Sequence, residues 1–258
     1  MIANTVEEIE IATEAGRRLG EILEKVAGRA VPGTSTEELE NLARSLIEEG
    51  GDVPSFLNYT PEGASRPFPA ALCVSVNDEV VHGIPNENPR VLQEGDVVGL
   101  DLGLTHKGII MDSAVTVAVG KIGKDTQNLL EGTQQALEEA IAVARVGNRT
   151  GDISYATGAA LRRYDITPVV VLGGHGVGAH VHEEPFIAND GREGTGPEIE
   201  EGMILALEPI ATEGKGSVEI IADGYTYVTR DGSRSAHFEH TILVTKGDPI
   251  VLTRRPGE

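Results

Sequence analysis

The stretch Val97-Val98-Gly99-Leu100-Asp101-Leu102 places a carboxylate inside an apolar run that is typical of a buried strand. Three further acids, Asp112, Glu208 and Glu239, lie within or directly after other apolar runs. An unpaired carboxylate that is buried costs roughly several kcal/mol, or it takes up a proton. The sequence therefore predicts buried strands whose acids need a neutralising partner.

A single buried acid has two ordinary explanations: it protects an edge strand, or it is one half of a buried salt bridge. Four such acids are harder to explain in this way, because none of these strands carries a Lys or Arg that could neutralise its own carboxylate. Divalent cations bind oxygen ligands and neutralise several carboxylates at once. The four acids together therefore favour a metal site.

Histidines complete the set of candidate ligands. His175, His180 and His182 lie in one glycine-rich segment, and His82 lies farther upstream. In an extended segment His180 and His182 would face the same side, although both need not be functional. Four carboxylates and one imidazole suit a pair of divalent ions bridged by two of the acids. Such a pair, about 3.5–4 Å apart, activates a water and polarises a carbonyl, which is the chemistry of hydrolysis.

The same order of elements, two helices followed by several strands, is predicted twice along the chain. In the first half, helices are predicted at 5–26 and 36–50 and strands at 70–76, 97–104 and 108–119. In the second half, helices are predicted at 125–144 and 152–163 and strands at 168–172, 203–211, 217–222, 225–229 and 238–245. We expect an α/β (α+β) protein in which residues 1–258 form a single domain with related halves, about 1–120 and 121–258.

The composition narrows the class of protein. The 258 residues carry a net charge of −20, which argues against a nucleic-acid-binding surface, since such surfaces need basic patches. The acidic surface indicates a well-solvated protein, with adaptation to salt as the alternative. Cys73 is the single cysteine, so no disulfide can form within the chain. We find neither a secretory signal nor a bilayer-spanning segment and expect a cytoplasmic protein without a membrane partner.

The order of the candidate ligands along the chain resembles that of the type I methionine aminopeptidases of peptidase family M24, in their short bacterial-style form. The order Asp, Asp eleven residues later, His, Glu, Glu is the ligand order of that family. Only 26 positions separate His182 from Glu208, so the large insertion of type II enzymes has no room. The resemblance extends to a set of local motifs in the same order: 73–77, 81–85, 174–178, 182–185, 202–209 and 239–241.

The resemblance implies a fold and a metal site. The fold is the pita-bread (creatinase/aminopeptidase) fold with two pseudo-symmetric halves. Two divalent metal ions, Co, Mn, Fe or Zn, are the implied cofactors. In the family pattern Asp101 chelates one ion, His175 and Glu208 hold the other, and Asp112 and Glu239 bridge them.

The resemblance also implies an activity, the removal of N-terminal methionine from peptides and nascent proteins when the second residue is small. A metal-bridged hydroxide attacks the scissile carbonyl in this scheme. His182 hydrogen-bonds that carbonyl, His82 contacts the substrate backbone, and Glu208 moves a proton to the leaving amine. We expect a monomer that associates with the ribosome only in passing.

The family's methionine pocket is lined by aromatic residues and a cysteine, which correspond here to Tyr59, Phe68, Cys73 and Tyr225. This chain departs from the family in three ways. Extra residues, 60–67, separate Tyr59 from Phe68; Tyr225 stands where a Trp is common; and Val181 replaces a Phe.

Two alternatives remain open at this point. A proline-specific relative, such as a prolidase or aminopeptidase P, shares the fold and the metals but usually carries an additional N-terminal domain. A non-enzymatic binding module on the same fold has typically lost metal ligands, whereas all five candidates are present in this chain.

Overall fold

Four helices form where the apolar periodicity predicts them. The computed structural model describes residues 1–258 and has helices α1 (Val6–Ala27), α2 (Thr36–Glu49), α3 (Lys124–Val143) and α4 (Thr150–Arg163). The hydroxyl of Thr5 accepts a hydrogen bond from the Glu8 N–H at the start of α1, and Ser35 caps α2 through Glu38 in the same way. None of the four helices is long and apolar enough to cross a membrane.

Fifteen strands, most of them short, form four antiparallel sheets. In chain order they are β1 (Val53–Pro54), β2 (Leu72–Val76), β3 (Glu79–Val81), β4 (Val97–His106), β5 (Ile109–Ala118), β6 (Thr167–Pro168), β7 (Gly173–Gly176), β8 (Glu183–Ala188), β9 (Ile204–Leu207), β10 (Ile210–Thr212), β11 (Val218–Ile220), β12 (Tyr227–Thr229), β13 (Ser235–His237), β14 (His240–Leu243) and β15 (Ile250–Val251). In the first large sheet β4 pairs with β5 on one side and with β1 and β2 on the other. The second large sheet has the order β15-β14-β9-β7-β8.

One continuous aliphatic core joins the helices to both large sheets. Helix α1 packs on β4 and β5, α2 packs on β2, and α4 packs on β8. The smaller sheets, β13-β10-β6 and β11-β12-β3, complete the structure. The mixed α/β architecture predicted from the sequence is therefore confirmed.

Several strand predictions need correction around the second sheet. The strand predicted at 168–172 is too long and begins one residue too late, since β6 covers only Thr167–Pro168. After the Val169 N–H donates to the Ile210 carbonyl oxygen the chain leaves the β13-β10-β6 sheet, and Val170 and Val171 are exposed. The strand predicted at 203–211 is interrupted by Pro209, which has no N–H to give to a ladder. Strands β7 and β8 were missed altogether.

Glycine is the reason that β7 is hard to recognise. A Cβ atom on Gly174 would lie 2.5 Å from the Ala206 carbonyl oxygen, so the backbones of β7 and β9 approach each other too closely for any side chain. The strand therefore lacks the β-branched residues that usually mark one. His175 is the one residue of β7 that is not glycine, and the register of the sheet places it opposite Ala206.

Hydrogen bonds join the two large sheets along one seam. Ala114 and Glu239 exchange backbone hydrogen bonds, and the Ser113 hydroxyl also donates to the Glu239 carbonyl oxygen at 2.8 Å. The Thr241 hydroxyl donates to the Asp112 carbonyl oxygen at 2.7 Å and accepts from the Asp112 N–H at 3.1 Å. The seam therefore holds two acids from distant parts of the chain beside each other.

The C-terminal segment crosses α1 at Gly16, and this contact generates a stability prediction. Gly→Ala inside a helix usually stabilises by about 1 kcal/mol, but a Cβ on Gly16 would lie 2.5 Å from the Leu252 carbonyl oxygen. We expect Gly16→Ala to lower the free energy of unfolding by about 1–3 kcal/mol in urea titrations, because the site is overpacked. Gly28→Ala is the matched control, since Gly28 has a helical φ of −64° and its Cβ would make only ordinary contacts. Equal stabilisation of both variants would contradict the close packing.

Candidate active site

One pocket gathers all but one of the candidate functional residues; the exception is His180. Its wall contains the candidate ligands, the two further histidines and the proposed methionine-binding side chains: Asp101, Asp112, His175, Glu208, Glu239, His82, His182, Tyr59, Phe68, Cys73 and Tyr225. His180 lies outside this wall and is exposed, because 177–182 form a loop rather than the extended segment in which His180 and His182 would share a face.

The pairing of the strands brings the acids together. Asp101 on β4 lies opposite Cys73 on β2, while Asp112 on β5 lies opposite Gly103. Glu208 directly follows β9, and Glu239 directly precedes β14. The five candidate ligands thus come from five separate strands or strand ends.

Three of the five form the tightest group. One ligand atom from each of Asp112, His175 and Glu239 lies within 4.8 Å of the others, and all three residues are buried. Asp101 and Glu208 line the same pocket outside this group. The Nε2 atom of His175 lies 3.5 Å from Glu208 Oε1, so Glu208 approaches the group from the histidine side.

Unpaired polar atoms indicate that the pocket is built for a cation. Two buried carboxylate oxygens in the wall of this pocket, Asp101 Oδ1 and Asp112 Oδ1, have no hydrogen-bond partner. A buried polar group without a partner costs about 1–3 kcal/mol. Carboxylate oxygens and imidazole nitrogen are donors that divalent ions of intermediate hardness accept. The residues present therefore fit a divalent cation.

The electrostatics of the acids lead to the same conclusion. Burial raises the pKa of Asp101 to about 6. Burial, reinforced by the charge of Asp101, raises the pKa of Asp112 well above its usual range. Burial and the charge of Asp112 do the same to Glu239. Without a cation these carboxyls therefore keep their protons to a higher pH than exposed carboxyls do, and a cation would displace those protons.

His237 is a member of the site that the sequence reasoning missed. It is buried at the end of β13, and its Nε2 lies 3.2 Å from Glu208 Oε2 and 3.8 Å from Glu239 Oε2. Burial opposes ionisation of Glu208, but the neighbouring His237, His175 and His182 rings outweigh it and hold its pKa below the usual value. The only signal in the sequence was that His237 precedes Glu239 by two residues, the spacing that places side chains on one face of an extended chain.

His82 is aimed at the pocket by an unusual backbone conformation. Its φ is +58°, in the left-handed region that few residues other than glycine adopt. The next residue, Gly83, explains the turn: a Cβ there would lie 2.2 Å from the Val74 carbonyl oxygen, so the chain presses directly on β2. Burial lowers the pKa of His82 to about 4, so its ring is neutral at pH 7.

His182 lies at the rim of the pocket. Burial of its ring, and after it the neighbouring His175, lowers the pKa of His182 to about 4. The two rings meet edge to face with centroids 4.6 Å apart. A neutral imidazole carries one N–H, so His182 can donate a hydrogen bond to a group in the pocket.

Another part of the pocket wall is apolar. Phe56, Phe68, Ala70, Cys73, Val181 and Tyr225 form a separate buried cluster there. The rings of Phe68 and Tyr225 meet edge to face with centroids 5.1 Å apart. Burial raises the pKa of Cys73 well above its usual value, so its thiol is part of a wall rather than a nucleophile.

The extra residues 60–67 do not separate the two aromatic side chains in space. The Phe68 N–H donates to the Tyr59 carbonyl oxygen at 2.8 Å, and the Asn58 N–H donates to the Phe68 carbonyl oxygen at 2.9 Å. The intervening residues form a loop whose ends are tied together. Tyr59 and Phe68 therefore reach the same pocket despite the insertion.

Comparisons with known proteins find relatives over nearly the whole chain. Residues 10–246 match the model of metallopeptidase family M24. The methionine aminopeptidase of Aquifex aeolicus is 43% identical over 248 residues, covering 95% of this chain and 96% of the relative. Methionine aminopeptidase 1 of Bacillus subtilis is 39% identical over 254 residues, covering 98% of this chain and 99% of the relative.

Solved structures show the same fold. The crystal structure of the methionine aminopeptidase from Thermotoga maritima superposes with a TM-score of 0.93 at 38% identity, covering 99% of this chain and 100% of that one. An Xaa-Pro dipeptidase from Bacillus anthracis superposes with a TM-score of 0.76 at 22% identity, and this chain covers only 63% of it. The pita-bread fold expected from the sequence is thereby confirmed.

The protonated carboxyls give a prediction for metal binding. We expect the metal-free protein to bind Mn²⁺ with release of protons, and the affinity to rise as the pH rises through about 6, because the raised pKa of Asp101 keeps its proton in place below that pH. Isothermal titration calorimetry in buffers of different ionisation enthalpy measures both quantities. Glu239→Gln is expected to weaken binding by about 10- to 100-fold or more.

The control for this prediction is Glu10→Gln, which removes an exposed carboxylate on α1 far from the pocket. It should bind Mn²⁺ as the wild type does. Wild-type affinity in Glu239→Gln, or binding without any proton release, would be incompatible with this site.

Proposed function

The chain belongs to the methionine aminopeptidases of metallopeptidase family M24, and on that premise we propose that it removes N-terminal methionine from peptides when the second residue is small. The observation that carries the proposal is a single pocket in which a group of buried acids and histidines adjoins an aromatic, apolar end. Hydrolysis after the first residue needs both parts of this pocket. The acids and histidines would act on the scissile bond, and the apolar wall would bind the side chain of the first residue.

The acids and His175 are the proposed holders of two divalent ions. Asp101 would bind one ion, His175 and Glu208 the other, and Asp112 and Glu239 both. The proposal is supported by the ligand atoms that lie within 4.8 Å of each other and by the unpaired oxygens of Asp101 and Asp112. Ions bound there would supply Lewis-acid polarisation of a carbonyl and a water that loses its proton near neutral pH.

Three side chains are proposed to act on the substrate. His182, neutral because its pKa is about 4, donates a hydrogen bond to the scissile carbonyl oxygen and to the negative charge that develops on it. His82 contacts the substrate backbone from the left-handed turn that aims it into the pocket. Glu208, with its lowered pKa, accepts a proton from the attacking water and passes it to the leaving amine.

The apolar end of the pocket is the proposed binding site for the methionine side chain. Tyr59, Phe68, Cys73 and Tyr225 supply aromatic and sulfur contacts around a narrow slot. An unbranched thioether fits such an irregular space better than a branched side chain does. A small second residue is required because the amino group and the carbonyl of the first residue must both reach the acids and histidines.

The cellular setting completes the proposal. We infer a cytoplasmic, monomeric enzyme that acts on nascent chains, associates with the ribosome only in passing, and forms a single catalytic domain with related halves, about 1–120 and 121–258. The alternatives have less support. Proline-specific relatives at 22% identity share the fold alone, and a non-catalytic module would not need all five candidate ligands.

Peptide cleavage tests the function. We expect release of methionine from Met-Ala-Ser, little from Met-Ile-Ser, and none after dialysis against a chelator, with recovery on addition of Co²⁺ or Mn²⁺. A β-branched second residue displaces the scissile carbonyl, and a displacement of about 1 Å costs about 10²-fold in rate. Leu-Ala-Ser is the control for the first position. Its cleavage as fast as Met-Ala-Ser would contradict methionine selectivity and indicate a broader aminopeptidase.

A variant of His182 separates chemistry from metal binding. His182→Ala should bind Mn²⁺ almost as the wild type does, while kcat for Met-Ala-Ser falls by about 10²–10³-fold, because a donor aimed at developing charge is lost. His180→Ala is a matched control in the same loop, since that ring is exposed and outside the pocket. Wild-type kcat in His182→Ala would refute the assigned role, and loss of Mn²⁺ would make His182 a ligand.

A further inference from the structure

The hydroxyl of Tyr59 makes a contact that the methionine pocket does not require. It lies 3.1 Å from Nδ1 of His182, and the two ring centroids are 5.7 Å apart with the ring planes tilted by 48°. A residue that only walls an apolar slot needs no hydroxyl. The contact therefore connects the slot to the imidazole that is proposed to act on the scissile carbonyl.

The backbone around Tyr59 is held at the base of its loop. Its carbonyl oxygen accepts the Phe68 N–H at 2.8 Å, and its own N–H donates to the Phe56 carbonyl oxygen at 2.9 Å. Both neighbours, Phe56 and Phe68, are buried in the apolar cluster of the pocket. The ring of Tyr59 consequently emerges from a backbone that is fixed on both sides.

The far end of the loop is tied to other parts of the chain. The Arg66 guanidinium pairs with Glu87, with Nη2 and Oε2 2.7 Å apart, and Nη2 also donates to the Asp223 carbonyl oxygen at 3.1 Å. The Tyr225 hydroxyl donates to the Arg66 carbonyl oxygen at 2.5 Å. The loop is thus braced against two distant segments, which restricts the freedom of Tyr59 further.

The direction of the Tyr59–His182 hydrogen bond follows from the chemistry of the two groups. A phenol is a good donor and a weak acceptor, whereas the bare nitrogen of a neutral imidazole is a good acceptor. The favourable arrangement has the Tyr59 hydroxyl donating to Nδ1. Because a neutral imidazole carries only one hydrogen, that hydrogen must then be on Nε2.

We propose that Tyr59 is a positioning residue for His182: its hydroxyl selects the tautomer with hydrogen on Nε2 and fixes the ring, so that His182 presents a donor to the substrate. The inference rests on the proposed role of His182 and extends it to a residue assigned only to the methionine pocket. The ring of Tyr59 contacts the first side chain, and its hydroxyl sets the state of the ring that acts on the adjacent bond.

Positioning His182 and lining the methionine pocket have different kinetic consequences. A wall residue affects how well methionine binds, and its ring is sufficient for that. A positioning hydroxyl affects the step in which His182 stabilises developing charge, so its loss lowers kcat and leaves KM nearly unchanged. Tyr59→Phe removes the hydroxyl and keeps the ring, and it therefore distinguishes the two roles.

The kinetic experiment uses the Co²⁺-loaded enzyme and Met-Ala-Ser. We expect Tyr59→Phe to lower kcat by about 3- to 10-fold, the rate equivalent of one hydrogen bond, with KM within about 2-fold of the wild type. Tyr164→Phe is the matched control, because its ring lies outside the pocket at the end of α4. An unchanged kcat, or a change confined to KM, would overturn the proposal.

A second measurement does not depend on activity. The ¹⁵N chemical shifts of histidine side chains report the tautomer, and His182→Gln identifies the signal of His182. In the metal-free protein and in the Zn²⁺-loaded protein, wild type should show hydrogen on Nε2, and Tyr59→Phe should show a mixture of tautomers. Hydrogen on Nδ1 in the wild type would overturn the proposal even if the variant failed to fold.

The two measurements keep this proposal separate from the proposed function. If the wild type does not cleave Met-Ala-Ser but the tautomer of His182 changes in Tyr59→Phe, the positioning role stands and the enzymatic assignment falls. If the wild type cleaves the peptide and neither kcat nor the tautomer changes in the variant, the assignment stands and the positioning role falls.

Discussion

Mutual repulsion between buried carboxylates is the constraint on which the rest of this structure depends. Asp112 and Glu239 have oxygen atoms within 4.8 Å of each other, deep in the protein. At that separation two negative charges repel by about 3–4 kcal/mol at an effective dielectric constant of about 20. Asp101 and Glu208 in the same pocket add to the repulsion. Protons or cations relieve this repulsion. Burial, and after it the neighbouring negative charges, therefore raise the pKa of Asp112, whose carboxyl also carries an oxygen without a hydrogen-bond partner.

A frame that resists this repulsion is required, and hydroxyl groups along the seam provide it. The hydroxyls of Ser113 and Thr241 donate to backbone carbonyl oxygens across the seam. The Thr116 hydroxyl donates to the His237 carbonyl oxygen and accepts a hydrogen bond from the His237 backbone N–H. Each of these hydroxyls is buried, so each bond is made in a region of low dielectric. Because the backbones are locked, the acids cannot relax by moving apart. The sheets thus hold the ligand set in place before any ion binds, which reduces the reorganisation that binding requires.

The helices, and the acids and His175 that meet in one pocket, were easier to recognise from the sequence than the strands that carry them. Acids in apolar runs are visible locally, and so is the 3.6-residue period of α1. In contrast, β7 is mostly glycine, so it has no strand composition, and its existence depends on the close approach of β9. His237 has no local feature that marks it, because its role comes from the neighbouring Glu208. The meeting of Tyr59 and Phe68 depends on hydrogen bonds across a loop, which no periodicity reveals.

The extra residues relative to the family pattern lie in a loop, at 60–67, and not in the sheets that carry the acids. The acids and His175 lie on strands or at strand ends whose positions are coupled through the seam, so a change in one would disturb the others. The loop at 60–67 is different, because the bonds that tie its base, between Tyr59, Asn58 and Phe68, are local. Its length can change while its two ends stay together, since closing a somewhat longer loop costs little additional entropy. Additional residues are therefore tolerated beside the proposed methionine pocket, and the contact from Tyr59 to His182 is the point at which the base of this loop meets the candidate catalytic residues.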